Sequence, residues 1–551
     1  MSDKIATEGK HDFDDNIESR SIALPGAEGL QRRLNNRQVQ LLAIGGSIGT
    51  ALFITIGNAV AAGGPASLLI AFTVYCGILA CVSNCAAEMT TYMPVEGGFI
   101  TLAGYWFDDA LGFMVGWNFF LYEAVMVPFE ITAINLLLKF WSDNVPPAAI
   151  CVACIVLYAG INFMAVAVFG EAEFWLSLGK VILIFILMFF TFVTMVGGNP
   201  HGDAYGFRYW STPSAFATYR SENNLGRFEG FLKAIWIAAF TIVGPEYISM
   251  AAAEAKSPRI IIKNAYKTIY WRFCLFFIMG AICVGIVVPW NDPTLQALLN
   301  GTSEASGAAA SPYVIAMTNM QIEGLPHLVN ALLLTSIFSA GNTLFYCATR
   351  SLYGLAITGR APSVLKRTMR GVPVYCFAVT LCFPFLSFLQ LSNNSSEVIG
   401  WLVSIVTAGG LINFIVICLT YLNWYRACNV QGFDRQSLPY YARFQPYSTW
   451  IGLISLSVIV VFYGYAAFAP WSVAAFFQNY TMQIIAPILY VGWKFIKKTK
   501  LVKPNEMDLV WQAPVISAYE ATVTEPVQSF WGEIVGLVGI NRKGKPTQSQ
   551  G

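Results

Sequence analysis

Ile44-Gly45-Gly46-Ser47-Ile48-Gly49-Thr50 stands in the first long apolar stretch of the chain, and Thr241-Ile242-Val243-Gly244-Pro245-Glu246 stands in the sixth. Each puts small, flexible or helix-breaking residues where an apolar helix would otherwise run on. The two lie five spans apart, which is the spacing of a five-plus-five inverted repeat followed by two further helices. Interrupted helices at matched positions of two halves mark the midplane site of a secondary transporter. The plainer alternative is that glycine-rich stretches only let neighbouring helices pack closely.

The composition outside these two stretches is that of a membrane bundle. Of 551 residues, 33 are Lys or Arg and 31 are Asp or Glu, so 12% are charged while 56% are hydrophobic; a soluble domain carries about 25% charge. A net charge of +2 with a pI near 7.9 leaves no basic footprint for nucleic acid. A helical crossing of the bilayer takes about 20 apolar residues. On that criterion the sequence predicts twelve transmembrane helices, at 41–62, 67–91, 111–140, 147–169, 174–197, 229–254, 272–290, 326–357, 374–391, 397–425, 449–469 and 476–496. The expected fold is therefore an all-α membrane protein with broken helices 1 and 6. Residues 1–40 form an amino-terminal tail, 41–498 the membrane domain and 499–551 a carboxy-terminal tail.

Six Lys or Arg residues lie in the first 40 positions and five (Lys256, Arg259, Lys263, Lys267, Arg272) between spans 6 and 7, whereas 291–325 has none. The positive-inside rule then puts both termini in the cytoplasm. No secretory signal is read ahead of the first span, which serves as the insertion signal. The tails read as polar segments without a core of their own, open to regulatory proteins, and 527–540 as an interfacial stretch. Sequons at Asn300, Asn393, Asn394 and Asn479 fall on the outer side, with Asn300 the best acceptor. Most of the twelve cysteines lie in apolar runs and read as packing, Cys151 and Cys154 included. No metal site and no cofactor other than a proton gradient is expected.

A broken helix leaves N–H groups at one half-helix end that attract a carboxylate, and carbonyls at the other that attract an ammonium. An α-amino acid carries both groups on one carbon. On this argument Thr50 gives its hydroxyl to the ligand carboxylate and Phe240 closes over the ligand. Ionisable residues within spans are functional candidates by default. Lys180 is one, with a proton-exchanging role set against simple snorkelling to the nearer interface. Glu123 and Glu130 stand seven residues apart on nearly one helix face, and Glu246 follows the second break; each has a substrate or proton role set against a structural hydrogen bond. Glu88 and Glu254, nearer the inner ends, suit salt bridges with Arg259 or Arg350. His11, His201 and His327 all lie outside the middle of any span, so a histidine relay is not expected.

The Ile44–Thr50 stretch, Ala87-Glu88-Met89 with Pro94, and Gly116-Trp117-Asn118 with Pro128 and Glu130 resemble the fungal amino acid permeases of the amino acid–polyamine–organocation superfamily. So do Glu173-Phe174-Trp175 with Lys180, Ala253-Glu254-Ala255 with Pro258 and Arg259, and Ser339-Ala340-Gly341-Asn342 with Arg350. Ala51 departs from the glycine common in relatives. The resemblance implies proton-coupled uptake across the plasma membrane. It places the ligand carboxylate near Gly49, Thr50 and Ala51, and the amino group near the carbonyls of Ser47, Phe240 and Val243, next to Gly244. It gives Lys180 the place that a sodium ion takes in other transporters. Tyr122-Glu123-Ala124 through Ile131, and Gly244-Pro245-Glu246-Tyr247, are most similar to the dicarboxylic permeases, which implies aspartate and glutamate as substrates. A broad or neutral permease, or an amino acid sensor with little flux, is the alternative.

Overall fold

In hydrocarbon an apolar segment has to close its backbone hydrogen bonds on itself, and these segments do so as helices. The computed structural model describes residues 32, 34–142, 144–163, 166–300, 311–369, 372–392, 395–468 and 470–523. The helices run in the order α1 (Asn36–Ser47), α2 (Ile56–Tyr92), α3 (Gly98–Trp106), α4 (Asp109–Leu138), α5 (Pro147–Phe163), α6 (Val166–Met195), α7 (Asn223–Thr241), α8 (Pro245–Ala251) and α9 (Pro258–Arg272). They continue as α10 (Met279–Val287), α11 (Pro293–Asn300), α12 (Pro312–Asn319), α13 (Leu325–Ile357), α14 (Val374–Leu381), α15 (Ser395–Gln431), α16 (Tyr447–Phe462), α17 (Val473–Lys497) and α18 (Ala513–Thr522). Among the described residues there is no strand beyond isolated bridges, and nine helical stretches are long and apolar enough to cross a membrane. The expected number was twelve. Ala51–Tyr92 is one continuous stretch, α5 has 17 residues, and α17 falls outside the nine.

The middle of the bundle is α4, which packs on α13 and α15. Small residues make the close crossings: a Cβ on Gly116 would stand 2.3 Å from Leu355, and one on Gly341 would stand 2.2 Å from the Tyr158 hydroxyl. Amide bonds add to the contact, with Asn118 Nδ2 donating to the Gly409 carbonyl and to Asn413 Oδ1, both at 2.8 Å.

Several expected boundaries move. The gap expected at 63–66 is an apolar corner, where Gly64 takes φ 78° and Pro65 follows. Its free backbone groups pair with an outlying segment, Ala66 N to Ala215 O and Ala217 N to Gly63 O, each at 3.0 Å. A Cβ on Gly64 would stand 2.7 Å from both partners. Helix also begins earlier than expected ahead of span 7: Pro258 to Val287 is one helical stretch, so the five basic residues do not all lie in a loop. Within 291–325, α11 and α12 bury Leu295, Tyr313, Val314 and Met317. Asn300 is exposed at the end of α11, and Asn479 lies inside α17. Asn393, Asn394, 527–540 and most of the first tail lie outside the described residues.

The carboxy-terminal segment does have a packed part. Met507, Leu509 and Ile516 are buried, Trp511 stacks on Tyr105 with centroids 3.9 Å apart, and Tyr92 Oη donates to Leu509 O at 2.8 Å. Arg259, expected on Glu88 or Glu254, instead pairs with Glu520 of α18 at 3.7 Å. Glu254 does meet Arg350, at 3.6 Å, and accepts from Tyr346 Oη at 2.6 Å.

Glu88 takes a partner that was not expected, Arg435, from the connection between α15 and α16. Arg435 Nε and Nη2 each donate at 2.8 Å to one carboxylate oxygen, and Tyr421 Oη donates at 2.7 Å. Burial alone would lower the Arg435 guanidinium, but its hydrogen bonds to Glu88 hold it above its ordinary value. Removing one partner of a buried pair strands the other charge. Arg435→Met should therefore destabilise the protein by about 3–5 kcal/mol, and the double variant Glu88→Gln/Arg435→Met should recover part of that loss. Thermal unfolding of the two purified variants checks this, with equal destabilisation as the contrary result.

Candidate functional site

Both expected breaks are present, and both are buried. α1 ends at Ser47, and Ile48 is extended (φ −118°, ψ 107°). Helix resumes at Thr50 and runs through a π-turn, Ala51–Thr55, into α2. Gly45 and Gly46 stay within α1; the interruption itself is only Ile48 and Gly49. In the second break α7 ends at Thr241, Ile242 is extended (φ −98°, ψ 101°), and Gly244 takes φ 145°, a conformation closed to L side chains. Pro245 then starts α8, where its missing N–H costs nothing.

The first break is occupied by a carboxylate of the protein itself. Thr50 Oγ1 donates to Glu130 Oε2 at 2.5 Å, with Thr50 0% and Glu130 2% exposed. A Cβ on Gly49 would lie 3.0 Å from Glu130 Oε1 and 2.8 Å from the Ala340 Cβ, so only glycine lets α4 and α13 close on the break. The hydroxyl expected to receive a ligand carboxylate is thus engaged by Glu130. Ser47 Oγ is also engaged, donating to Ala43 O at 2.8 Å. Ala51 is half-buried behind them.

Lys180 on α6 is fully buried, with Glu173 and Glu130 as its charged neighbours. Glu173 in turn accepts from Ser177 Oγ at 2.9 Å, Ser339 Oγ at 2.5 Å and Asn342 Nδ2 at 3.4 Å. Lys180 thus stands between the carboxylate at the break, Glu130, and Glu173, which is held by Ser339 and Asn342 of α13. Residue-by-residue reading used Glu173 only as a family marker. The signal that could have found it is its spacing: Glu173 and Lys180 are seven residues apart, as are Glu123 and Glu130, and seven residues is two turns along one face.

Glu123 belongs to a different group. Its carboxyl is buried and faces the Tyr247 hydroxyl. Its surroundings are Tyr122, Tyr247 and Glu246. The Tyr247 ring packs on α1, 3.0 Å from where a Gly46 Cβ would be. Glu246 Oε2 accepts from Gly244 N at 3.1 Å and so caps the second break. Glu123 and Glu130, read as two members of one face, have separate partners. Phe240 and Val243 are buried at the second break, and Phe240 meets Phe129 edge to face with centroids 5.4 Å apart. Among the described residues no group of three or more His, Cys, Asp or Glu is placed to hold a metal ion.

Residues 38–505 match the amino acid permease family. The chain is 43% identical to general amino acid permease AGP2 of Saccharomyces cerevisiae, over 89% of this chain and 84% of the relative. It is 37% identical to a proline-specific permease of Emericella nidulans, over 87% of this chain and 88% of the relative. A dicarboxylic amino acid permease of Saccharomyces cerevisiae is 34% identical, over 87% of this chain and 79% of the relative. The resemblance read from the Ile44–Thr50 and Ser339–Asn342 stretches is thus borne out over nearly the whole bundle, and the chain belongs to the amino acid permease family, whose members are multi-span membrane transporters and not enzymes.

Proposed function

We propose that the chain imports amino acids across the plasma membrane by proton symport, through twelve crossings arranged as a five-plus-five inverted repeat with two more helices. Both termini are cytoplasmic in this reading, the membrane domain is 41–498, and 499–551 is a tail of which the first part packs on the bundle. The twelve crossings follow if the stretch bent at Gly64 makes two and α5 and α17 make one each, in addition to the other eight apolar stretches.

The observation that carries this reading is the Glu130 carboxylate seated on the first break. An arriving α-carboxylate wants the same hydroxyl, and two carboxylates cannot share it in a low-dielectric site without a proton. Substrate binding then requires Glu130 to take up a proton, which ties one proton to one substrate. The substrate ammonium falls to the carbonyls near Ser47, Phe240 and Val243. In this scheme Lys180 takes the charge role of a bound cation, and Glu123 and Glu246 hold or release protons beside the second break.

Acidic amino acids are the proposed substrates within the class. A protonated Glu123 could donate to a second carboxylate, and a relative named for dicarboxylic amino acids is 34% identical. A broad substrate range is the second reading, favoured by the 43% identity to a general permease. Uptake of labelled glutamate with excess leucine, proline or aspartate as competitor separates them: acidic selectivity predicts competition by aspartate alone, and a broad range predicts competition by all three.

Two variants test the coupling. Lys180→Met should abolish concentrative uptake while leaving exchange; since 100 mV supplies about 2.3 kcal/mol per charge moved, the loss appears as failure to exceed the outside concentration. Full accumulation by this variant would remove Lys180 from the scheme. At the break, Thr50→Val should lower apparent affinity about tenfold, as expected when a hydroxyl worth about 1–3 kcal/mol is withdrawn from a buried acceptor, and Thr50→Ser should restore it. Affinity unchanged in Thr50→Val, with surface protein counted, would separate Thr50 from the substrate.

A further inference from the structure

Away from the broken helices, a cleft of about 580 Å³ opens between α2, α9 and the connection from α15 to α16, lined by Asn84, Lys263, Lys267, Tyr270, Tyr440 and Arg443. Its charged side chains are all cations. None of Lys263, Lys267 and Arg443 has a carboxylate within ion-pair distance among the described residues, although nearby Arg435 and Arg259 are both paired. The floor is fixed by two tyrosines: Tyr270 Oη and Tyr440 Oη donate to Asn84 Oδ1 at 2.8 and 2.9 Å. That fixes the Asn84 amide with its acceptor used and its Nδ2 donors free of these bonds. Ammonium, guanidinium and amide N–H groups converging on one cavity form a donor set that suits an anion.

The cleft also sits beside apolar surface of the kind that faces lipid. Phe444 on its rim is 83% exposed, and Trp271, one residue beyond Tyr270, and Tyr447 are each 76% exposed. Exposed aromatic rings next to paired or clustered cations mark the level of the lipid headgroups. The site is also built on an anchored loop, because Arg435 and Ala442 of the same connection both bond Glu88 of α2. A ligand there bridges α9, which leads away from the second break, to α2 and to the α15–α16 connection.

We propose that this cleft binds the headgroup of an anionic phospholipid of the adjacent leaflet, with Lys263, Lys267 and Arg443 on the phosphate, Asn84 donating to a polar headgroup atom, and the acyl chains lying along Trp271 and Phe444. In the orientation proposed above that leaflet is the cytoplasmic one. The site is independent of the transported substrate and stands whether or not the coupling scheme does.

Native mass spectrometry of the delipidated full chain tests it, with phosphatidylinositol, phosphatidylserine and phosphatidylcholine added in turn. The two anionic lipids should be retained and phosphatidylcholine should not. Each cation contributes about fivefold to affinity for an anionic surface, so Lys267→Gln should weaken retention about fivefold and the triple variant Lys263→Gln/Lys267→Gln/Arg443→Gln about a hundredfold. The charge-matched control Lys497→Gln/Lys498→Gln/Lys500→Gln, at the end of α17, should retain lipid as the parent does. Equal loss in the control would reduce the effect to general surface charge and overturn the proposal. So would unchanged retention by Lys267→Gln, which alters one exposed side chain and is not expected to impair folding. Inorganic phosphate at millimolar concentration should fail to displace the lipid; displacement by phosphate alone would make this a soluble-anion site and would also overturn it.

Discussion

Hydrocarbon offers no partner to a backbone N–H or C=O, yet two helices of this chain stop partway along. A buried carboxylate of the protein sits at each stop. Glu246 accepts from Gly244 N at the second break, and Glu130 accepts from Thr50 at the first. A buried carboxylate brings its own demand, since an isolated charge in this environment costs several kcal/mol. The demand of Glu130 falls on Lys180, and that of Lys180 on Glu173, which the hydroxyls of Ser177 and Ser339 and the amide of Asn342 satisfy. The polar interior thus follows as a sequence of obligations that begins with two missing turns of helix.

Two kinds stand out among the buried acids. Glu88 with Arg435, Glu254 with Arg350, and Asp108 with Lys494 are paired to cations within the distance of an ion pair. Protonating any of these would strand a positive charge, so they act as fixed joints. Glu123, Glu130 and Glu246 instead face hydroxyls, a backbone N–H or tyrosine rings, with Lys180 beside Glu130. A proton gained there leaves much less charge uncompensated. The difference in partners, more than the difference in burial, separates the ion-paired acids from these three.

Much of this was legible from residue types. Gly49 and Gly244-Pro245 cannot continue a helix comfortably, so the breaks could be read from the sequence; Lys180 and Glu130 announced themselves as charges inside apolar runs. Pairings over long separations were not legible: Glu88 and Arg435 lie 347 residues apart, and Glu173 and Ser339 lie 166 apart. The gap read at 63–66, Gly-Gly-Pro-Ala, is the corner at Gly64; not legible was the outlying backbone segment that supplies its hydrogen bonds. Glu123 and Glu130 share a helical face, but two turns of helix separate them by about 10 Å, enough to give each a different set of neighbours. The packing of residues 501–522 was hidden because its few apolar side chains fit a surface assembled from α2, α3 and α9.

The same logic links the two breaks to each other. Leu34, just ahead of α1, donates its N–H to Glu254 O at 2.8 Å and accepts at 3.0 Å from Lys256 N, forming a parallel bridge to Ala255 just beyond α8. Glu254 is itself held by Arg350 and Tyr346 of α13. The half-helix before the first break and the half-helix after the second are therefore tied at their ends and joined to the helix that carries Ser339 and Asn342. A displacement of either half-helix would have to carry the other with it or break two backbone hydrogen bonds together. Two interruptions far apart in sequence are in this way constrained to act as one joint, whose hinge points are Ile48-Gly49, beside which Glu130 accepts from the Thr50 hydroxyl, and Ile242 to Gly244, where Glu246 accepts from the Gly244 N–H.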